Sequence, residues 1–232
     1  SMEFAETLGE KKMLLNNLKQ MIFYGIQVED MEQVHTYVQR GLQMLEAEEK
    51  NSEEKGVFIR LKGWYLLHKG NYQEAEQVLW EAMEIFRNCV SDREYFSMSI
   101  AACQGYLGDL SRAKGDFEKA REYYQAAIEL GTGKVVTNGL GQFYSSMGQV
   151  LYLEKQYEEA DEYLEKAVSC LKSHGYYWGL ERALAYRAML LWETGKQEEA
   201  KLCYEESWKI SHKIKNPTTI SILKQVENYI NH

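Results

Sequence analysis

YLGDLSRAKGDFEKAREYYQAAIEL, residues 106–130, decides the fold. Leu107 and Gly108 belong to a first helix, and Gly115-Asp116 breaks the chain. Phe117, Ala120, Tyr124, Ala127 and Leu130 then recur at helical spacing and mark the buried stripe of a second helix. The stretch is a complete helix-turn-helix unit, and the rest of the chain repeats it.

Working outward, the Gly-Asp-Phe-x-x-Ala core aligns with Gly70-Asn71-Tyr72 and Ala75, with Lys155-Gln156-Tyr157 and Ala160, and with Gly195-Lys196-Gln197 and Ala200. A weaker copy follows Glu29-Asp30-Met31 and places Val34 at the alanine position. The five anchors, 34, 75, 120, 160 and 200, are separated by 41, 45, 40 and 40 residues. Seven residues beyond them lie Gly41, Ala82, Ala127, Ala167 and Ser207, and Gly63, Gly108 and Gly148 lie twelve before three of them. Small residues at these offsets let paired helices approach closely. Leu79, Tyr124, Leu164 and Tyr204, four beyond each alanine, fill the space between layers.

This pattern resembles the tetratricopeptide repeat, whose signature places Trp, Leu-Gly, Tyr, Ala, Phe and Ala at such offsets. The resemblance implies an all-α fold, a right-handed superhelical solenoid of about five helix pairs plus a C-terminal capping helix. It reads as a single repeat domain over residues 1–232, with repeats near 10–49, 53–88, 92–130, 137–173 and 178–213. Lys62 and Arg187 depart from the family by standing where it usually has Leu, and no repeat carries its closing proline. Both helices of each pair should accordingly be longer than in the 34-residue standard repeat.

Local signals place several boundaries. Ser91-x-x-Glu94 has the form of a capping box, Asn51 with Glu54 offers a similar start, and Gly131 and Gly175 suit helix C-termini. Asn216-Pro217 opens a last helix, 217–231, with Ile220, Leu223, Val226 and Ile230 on one face.

Composition narrows the function. One proline in 232 residues agrees with an all-helical chain, and 45% apolar with 27% charged residues suits a folded, soluble protein. A net charge of −8 has the wrong sign for neutralising phosphates, so direct nucleic-acid contact is not expected. No signal-peptide pattern or membrane-spanning run is present, and Cys89, Cys103, Cys170 and Cys203 form no CxxC pair. A cytoplasmic location follows as the expectation.

Catalytic and cofactor motifs are missing from the sequence. Residues 131–141, GTGKVVTNGLG, look like a phosphate loop, but Lys134 precedes Val135 rather than Ser or Thr and the flanks are helical. His35, His68, His174, His212 and His232 lack metal-ligand spacing. Neither an enzyme, a metal nor a cofactor is expected. The acidic runs at 46–54 and 158–165 read as solvated outer faces.

The functional expectation falls on the groove that the family's geometry assigns to first helices. Projected onto this chain, that face carries Lys19, Phe23, Arg60, Trp64 and His68, then Asp109 and Arg112, then Asn138, Gln142, Gln149 and Tyr152, and last Trp178, Arg182 and Trp192. Trp64 and Trp192 suit packing between repeats equally well. Aromatic rings offer rigid contact area, amides pair with extended backbone, and arginines fork onto carboxylates. The partner expected is a peptide or protein segment, acidic or bearing a free carboxylate, and a homodimer is compatible with the sequence. The chaperone-binding clamp of some relatives is not expected, because its places hold Arg60, Trp64, Tyr106, Gln142 and Ser146. The long repeat and the segment at 179–210 look most similar to sensor arrays of bacterial transcription regulators, including peptide-pheromone regulators. That resemblance implies a ligand-sensing module; a constitutive scaffold is the alternative.

Overall fold

The computed structural model describes residues 2–46, 52–89, 93–132 and 138–230, and their side chains except those of 2–8, 93–96, 138 and 230. These residues form eleven helices and, among them, no strand. Contacts divide the chain into two compact units, Ser1–Cys89 and Val90–His232. The first holds α1 (Met2–Val28), α2 (Met31–Met44), α3 (Glu53–His68) and α4 (Tyr72–Asn88). The second holds α5 (Arg93–Ala113), α6 (Phe117–Gly131), α7 (Asn138–Leu153), α8 (Tyr157–Ser173), α9 (Leu180–Glu193), α10 (Gln197–Ile214) and α11 (Pro217–Ile230).

One turn geometry joins every pair. Glu29, Gly70, Gly115, Lys155 and Gly195, each five residues before its repeat's anchor, all have φ between 57° and 80°. The residue after each donates its N–H back across the helix end, as in Asp30 to Gly25 at 2.8 Å and Asp116 to Ser111 at 2.9 Å. This is the six-to-one closure of a left-handed helix stop. Glycine adopts it without strain, so three repeats carry glycine there, while Glu29 and Lys155 accept a cost of about 1 kcal/mol. Asp30 and Asp116 then cap the second helices, accepting from Gln33 N at 3.0 Å and Lys119 N at 3.1 Å. The weak first copy is thus a full repeat by its backbone.

The small residues do what close approach requires. A Cβ on Gly63, Gly108 or Gly148 would lie 2.7, 2.5 or 2.7 Å from Leu79, Tyr124 or Leu164 respectively. The glycine of the first helix therefore makes room for the large residue of its partner, rather than only meeting the alanine. Gly41 does the same for Phe58 of the next pair in the first unit. Ala75, Ala82, Ala120, Ala127, Ala160, Ala167 and Ala200 are fully buried.

The departures from the family pattern find charged partners. Lys62 reaches Glu74 at 3.1 Å, and Arg187 reaches Asp161 at 2.8 Å from the second helix of the preceding pair. Boundaries shift slightly from those read in sequence. Ser52, not Asn51, caps α3 by accepting from Lys55 N at 3.4 Å. Asn51, Ser91 and Lys134 lie outside the described residues. Helix α9 starts at Leu180, so Trp178 sits in the connection before it. Asn216 caps α11 through Thr219 N at 2.8 Å. Leu223 and Val226 of α11 are buried with Ile222 against Ala185, Ala188 and Met189 of α9. At about 1.5–3 kcal/mol per large apolar side chain, this contact holds the last helix in place. Ile230's side chain lies outside the described residues. No described helix is long and apolar enough to cross a membrane.

Candidate ligand-binding face

The expected contact residues of the first unit lie on α1 and α3. Lys19 of α1 is spent on Glu54 of α3, at 3.0 Å. Trp64 is only 6% exposed and stacks on His68 with centroids 3.8 Å apart, so it packs rather than projects. His68 is exposed, with Nδ1 2.9 Å from the Trp64 carbonyl. Phe23 and Arg60 are half-buried, and Arg60 Nε is enclosed with no hydrogen-bond partner among the described residues.

In the second unit Asp109 and Arg112, one turn apart on α5, converge on Tyr124 of α6. The Tyr124 phenol donates to Asp109 Oδ1 at 2.7 Å, and Arg112 donates to the same oxygen at 3.3 Å. Burial, reinforced by Asp109, pushes the Tyr124 phenol well above its ordinary range, so it stays a neutral donor. Burial works against the Arg112 charge, but Tyr124 and Asp109 outweigh it and hold the guanidinium protonated.

On α7, Gln142 donates to the Trp178 carbonyl at 2.9 Å and so ties the repeat to the connection before α9. A Cβ on Gly179 would strike the Gln142 amide, which together with φ of 86° accounts for glycine there. Gln149 is 3% exposed and donates to Ser145 Oγ at 3.1 Å. The side chain of Asn138 lies outside the described residues. Tyr152 and Tyr157 both donate to the Glu193 carboxylate, at 2.7 and 2.6 Å. The Tyr152 phenol is pushed up, first by burial and then by this bond. Trp192 is half-buried against the core that includes Leu190 and Leu191. Arg182, half-buried on α9, has an enclosed Nε with no hydrogen-bond partner among the described residues.

The structure thus sorts the four cations expected on this face. Lys19 and Arg112 are neutralised by Glu54 and Asp109, whereas the Nε atoms of Arg60 and Arg182 have no hydrogen-bond partner among the described residues. An enclosed donor without an acceptor is costly and rare in native proteins. Two residues bearing on the face were missed from sequence. Tyr186 of α9 meets the Tyr152 ring edge-on at 6.1 Å. Glu181 is 2% exposed, with Oε2 unpartnered. Its only sequence signal is a carboxylate two residues past Gly179, in the first turn of a helix.

Family models described as the tetratricopeptide repeat match residues 62–88, 101–132 and 140–169. Those three stretches are tetratricopeptide repeats. Solved structures share the architecture of these repeats at low identity. Aspartyl phosphate phosphatase F from Bacillus subtilis is 14% identical, with TM-score 0.71 over 99% of this chain and 59% of its own. A Rap protein complexed with competence and sporulation factor is 15% identical, with TM-score 0.74 over 90% and 59%. PlcR of Bacillus thuringiensis, in complex with the peptide PapR7 and DNA, is 12% identical, with TM-score 0.74 over 97% and 75%. The repeat chain spans about three fifths of the length of the first two. A comparison with curated proteins finds no match.

Burial pushes the Glu181 carboxyl above the ordinary range, while Arg182 and backbone hydrogen bonds of Glu181, Gly179 and Arg182 pull it back. A carboxyl whose folded pKa is raised stabilises the fold below its unfolded value, about 4.3, and loses that contribution as pH rises through the folded value. Glu181→Gln should therefore gain stability relative to wild type as pH rises from 4 to 7. Thermal melts at several pH values check this; a constant difference would show that Glu181 titrates as it does when unfolded.

Proposed function

We propose that this protein is a non-catalytic binding module, the ligand- or partner-sensing part of a bacterial regulatory protein. It takes a peptide or protein segment, acidic or ending in a free carboxylate, on the first-helix face of its second unit. The observation that carries the reading is Arg182, half-buried on α9, four residues past the Trp178 whose carbonyl Gln142 holds and four before Tyr186, which meets the Tyr152 ring. A ligand carboxylate would pair with the outer edge of its guanidinium, and the rings would supply rigid apolar contact. The Rap and PlcR structures, with their bound factor and peptide, support a peptide as the ligand. Because each repeat touches chiefly its neighbours, a segment lying across several would favour one set of inter-repeat rotations and so report its presence.

A scaffold using its outer faces is the second reading, favoured by Trp80 of α4 and Leu202 of α10, which are 40% and 67% exposed. Fluorescence anisotropy with a library of acidic peptides, each with a free and an amidated C-terminus, separates the two. Arg182→Ala should weaken capture about 10- to 100-fold, the worth of a charged hydrogen bond. Capture unchanged by that substitution, or no capture of any peptide, would sink the groove reading and leave the scaffold.

A further inference from the structure

We propose that Glu193, held between Tyr152 and Tyr157, is a subsite for an alkylammonium group, the cation of a lysine side chain or of a free amino terminus. The carboxylate stands at the end of α9 and is exposed. Its two oxygens are fixed separately, Oε1 accepting from the Tyr152 phenol at 2.7 Å and Oε2 from the Tyr157 phenol at 2.6 Å. A carboxylate has about four lone-pair sites, so the phenols orient it and leave room for further donors. Its charge is uncompensated. Among the described residues no lysine or arginine pairs with Glu193, whereas Asp109, Glu154 and Asp161 of the same unit meet Arg112, Arg121 and Arg187. Both phenols are pushed above their ordinary range, Tyr152 first by burial and Tyr157 first by its bond to Glu193. They therefore stay protonated, and the negative charge rests on the carboxylate.

The rings complete the chemistry. Tyr152 and Tyr157 are half-buried, their centroids 5.9 Å apart and their planes inclined at 39°. Tyr229 of α11, 46% exposed, is close enough to act on the Tyr152 phenol. Aromatic faces attract cations within about 6 Å, and the two phenol bonds bring the rings to the carboxylate itself. An ammonium suits this arrangement better than a guanidinium. The guanidinium fork seeks both carboxylate oxygens in parallel, and each already carries a phenol. A compact ammonium needs only one open lone pair and an adjoining ring.

Arg182 and Glu193 are eleven residues apart. That is close to three full turns, so they share one face of α9 about 16 Å apart, with Tyr186 between them. A segment lying along α9 can thus meet Arg182 with a carboxylate and Glu193 with an ammonium, and the opposite charges would fix its direction. Assigning both groups to one ligand rests on the groove reading proposed above; the subsite itself rests on Glu193 and its rings.

NMR titration of the whole chain, labelled on its tyrosine rings, tests the subsite with two capped probes. Nα-acetyl-lysine methylamide carries only a side-chain ammonium, and alanine methylamide carries only an α-ammonium. At least one should shift the Tyr152 and Tyr157 ring signals with Kd on the order of 1–10 mM. Binding of the lysine probe alone assigns the site to a side chain, of the alanine probe alone to an amino terminus, and of both to either. Glu193→Gln should weaken binding at least about 10-fold, with circular dichroism unchanged because the site is exposed. The neutral isostere Nα-acetyl-norleucine methylamide should shift nothing. Neither probe binding up to about 50 mM, Glu193→Gln binding as wild type does, or norleucine matching lysine would each overturn the proposal. Peptide capture indifferent to Arg182→Ala, with an ammonium probe still bound at Glu193, would remove the groove reading and leave the subsite standing.

Discussion

Gly108→Val is expected to lower folding stability by about 3–5 kcal/mol, beyond the ~1–3 kcal/mol usual for an overpacked core. A Cβ at residue 108 would lie 2.5 Å from the Tyr124 ring, and further ring carbons would stand at 2.7 and 3.0 Å. Relief would require the ring to move. It cannot move cheaply, because Tyr124 is fully buried and its phenol is fixed by Asp109 at 2.7 Å. The equivalent Gly148 faces the branched end of Leu164 at 2.7 Å, where a rotamer change can absorb part of the strain. Gly148→Val should therefore cost less. Gly115→Ala provides the contrast, since nothing lies within 4 Å and only its φ of 80° is offended, a cost of about 1–2 kcal/mol. Urea denaturation of the three variants checks the order; equal losses at 108 and 115 would mean that backbone strain rather than packing sets both.

The repeat was legible because it rests on contacts that admit few residue types. Only a small residue fits opposite Leu79, Tyr124 or Leu164, and only a left-handed residue closes the turn, so glycine and alanine offsets carry the architecture directly. Even the degenerate first copy, with Glu29 in place of glycine, keeps the spacing and closes in the same way. The longest interval between anchors, 45 residues from 75 to 120, contains the boundary between the two compact units at Cys89 and Val90. The contact face was less legible. Offset arithmetic gives the side of a helix, but each residue turns the direction by about 100° and says nothing of depth. Gln149 fell on the expected side yet is buried against Ser145, and Trp64 lies beneath His68. Nor does spacing within one helix reveal a partner from another, which is how Lys19 comes to be held by Glu54. Trp178 was missed by two residues, the difference between a helix and the connection before it.

Asp109→Ala is expected to destabilise the protein by about 2–3 kcal/mol, less than the 3–5 kcal/mol for breaking a fully buried pair. The discount reflects solvent, since the Asp109 and Arg112 side chains remain 25% and 30% exposed. What is lost exceeds one bond, because Asp109 Oδ1 accepts from both the Tyr124 phenol and the Arg112 guanidinium. Removing the carboxylate leaves the Tyr124 hydroxyl without its acceptor and Arg112 with only the bond its Nε donates to the phenol oxygen at 3.4 Å. Adding Tyr124→Phe removes the stranded hydroxyl but also the acceptor of Arg112 Nε, so the two losses should not be additive. The same substitution separates structure from binding. If the groove takes an acidic segment, Asp109→Ala frees Arg112 for it and should tighten peptide capture while weakening the fold. Urea titration and peptide anisotropy on the same variant give both quantities. Loss of stability without a gain in affinity would assign Arg112 to holding α5 on α6, leaving Arg182 as the second unit's ligand cation.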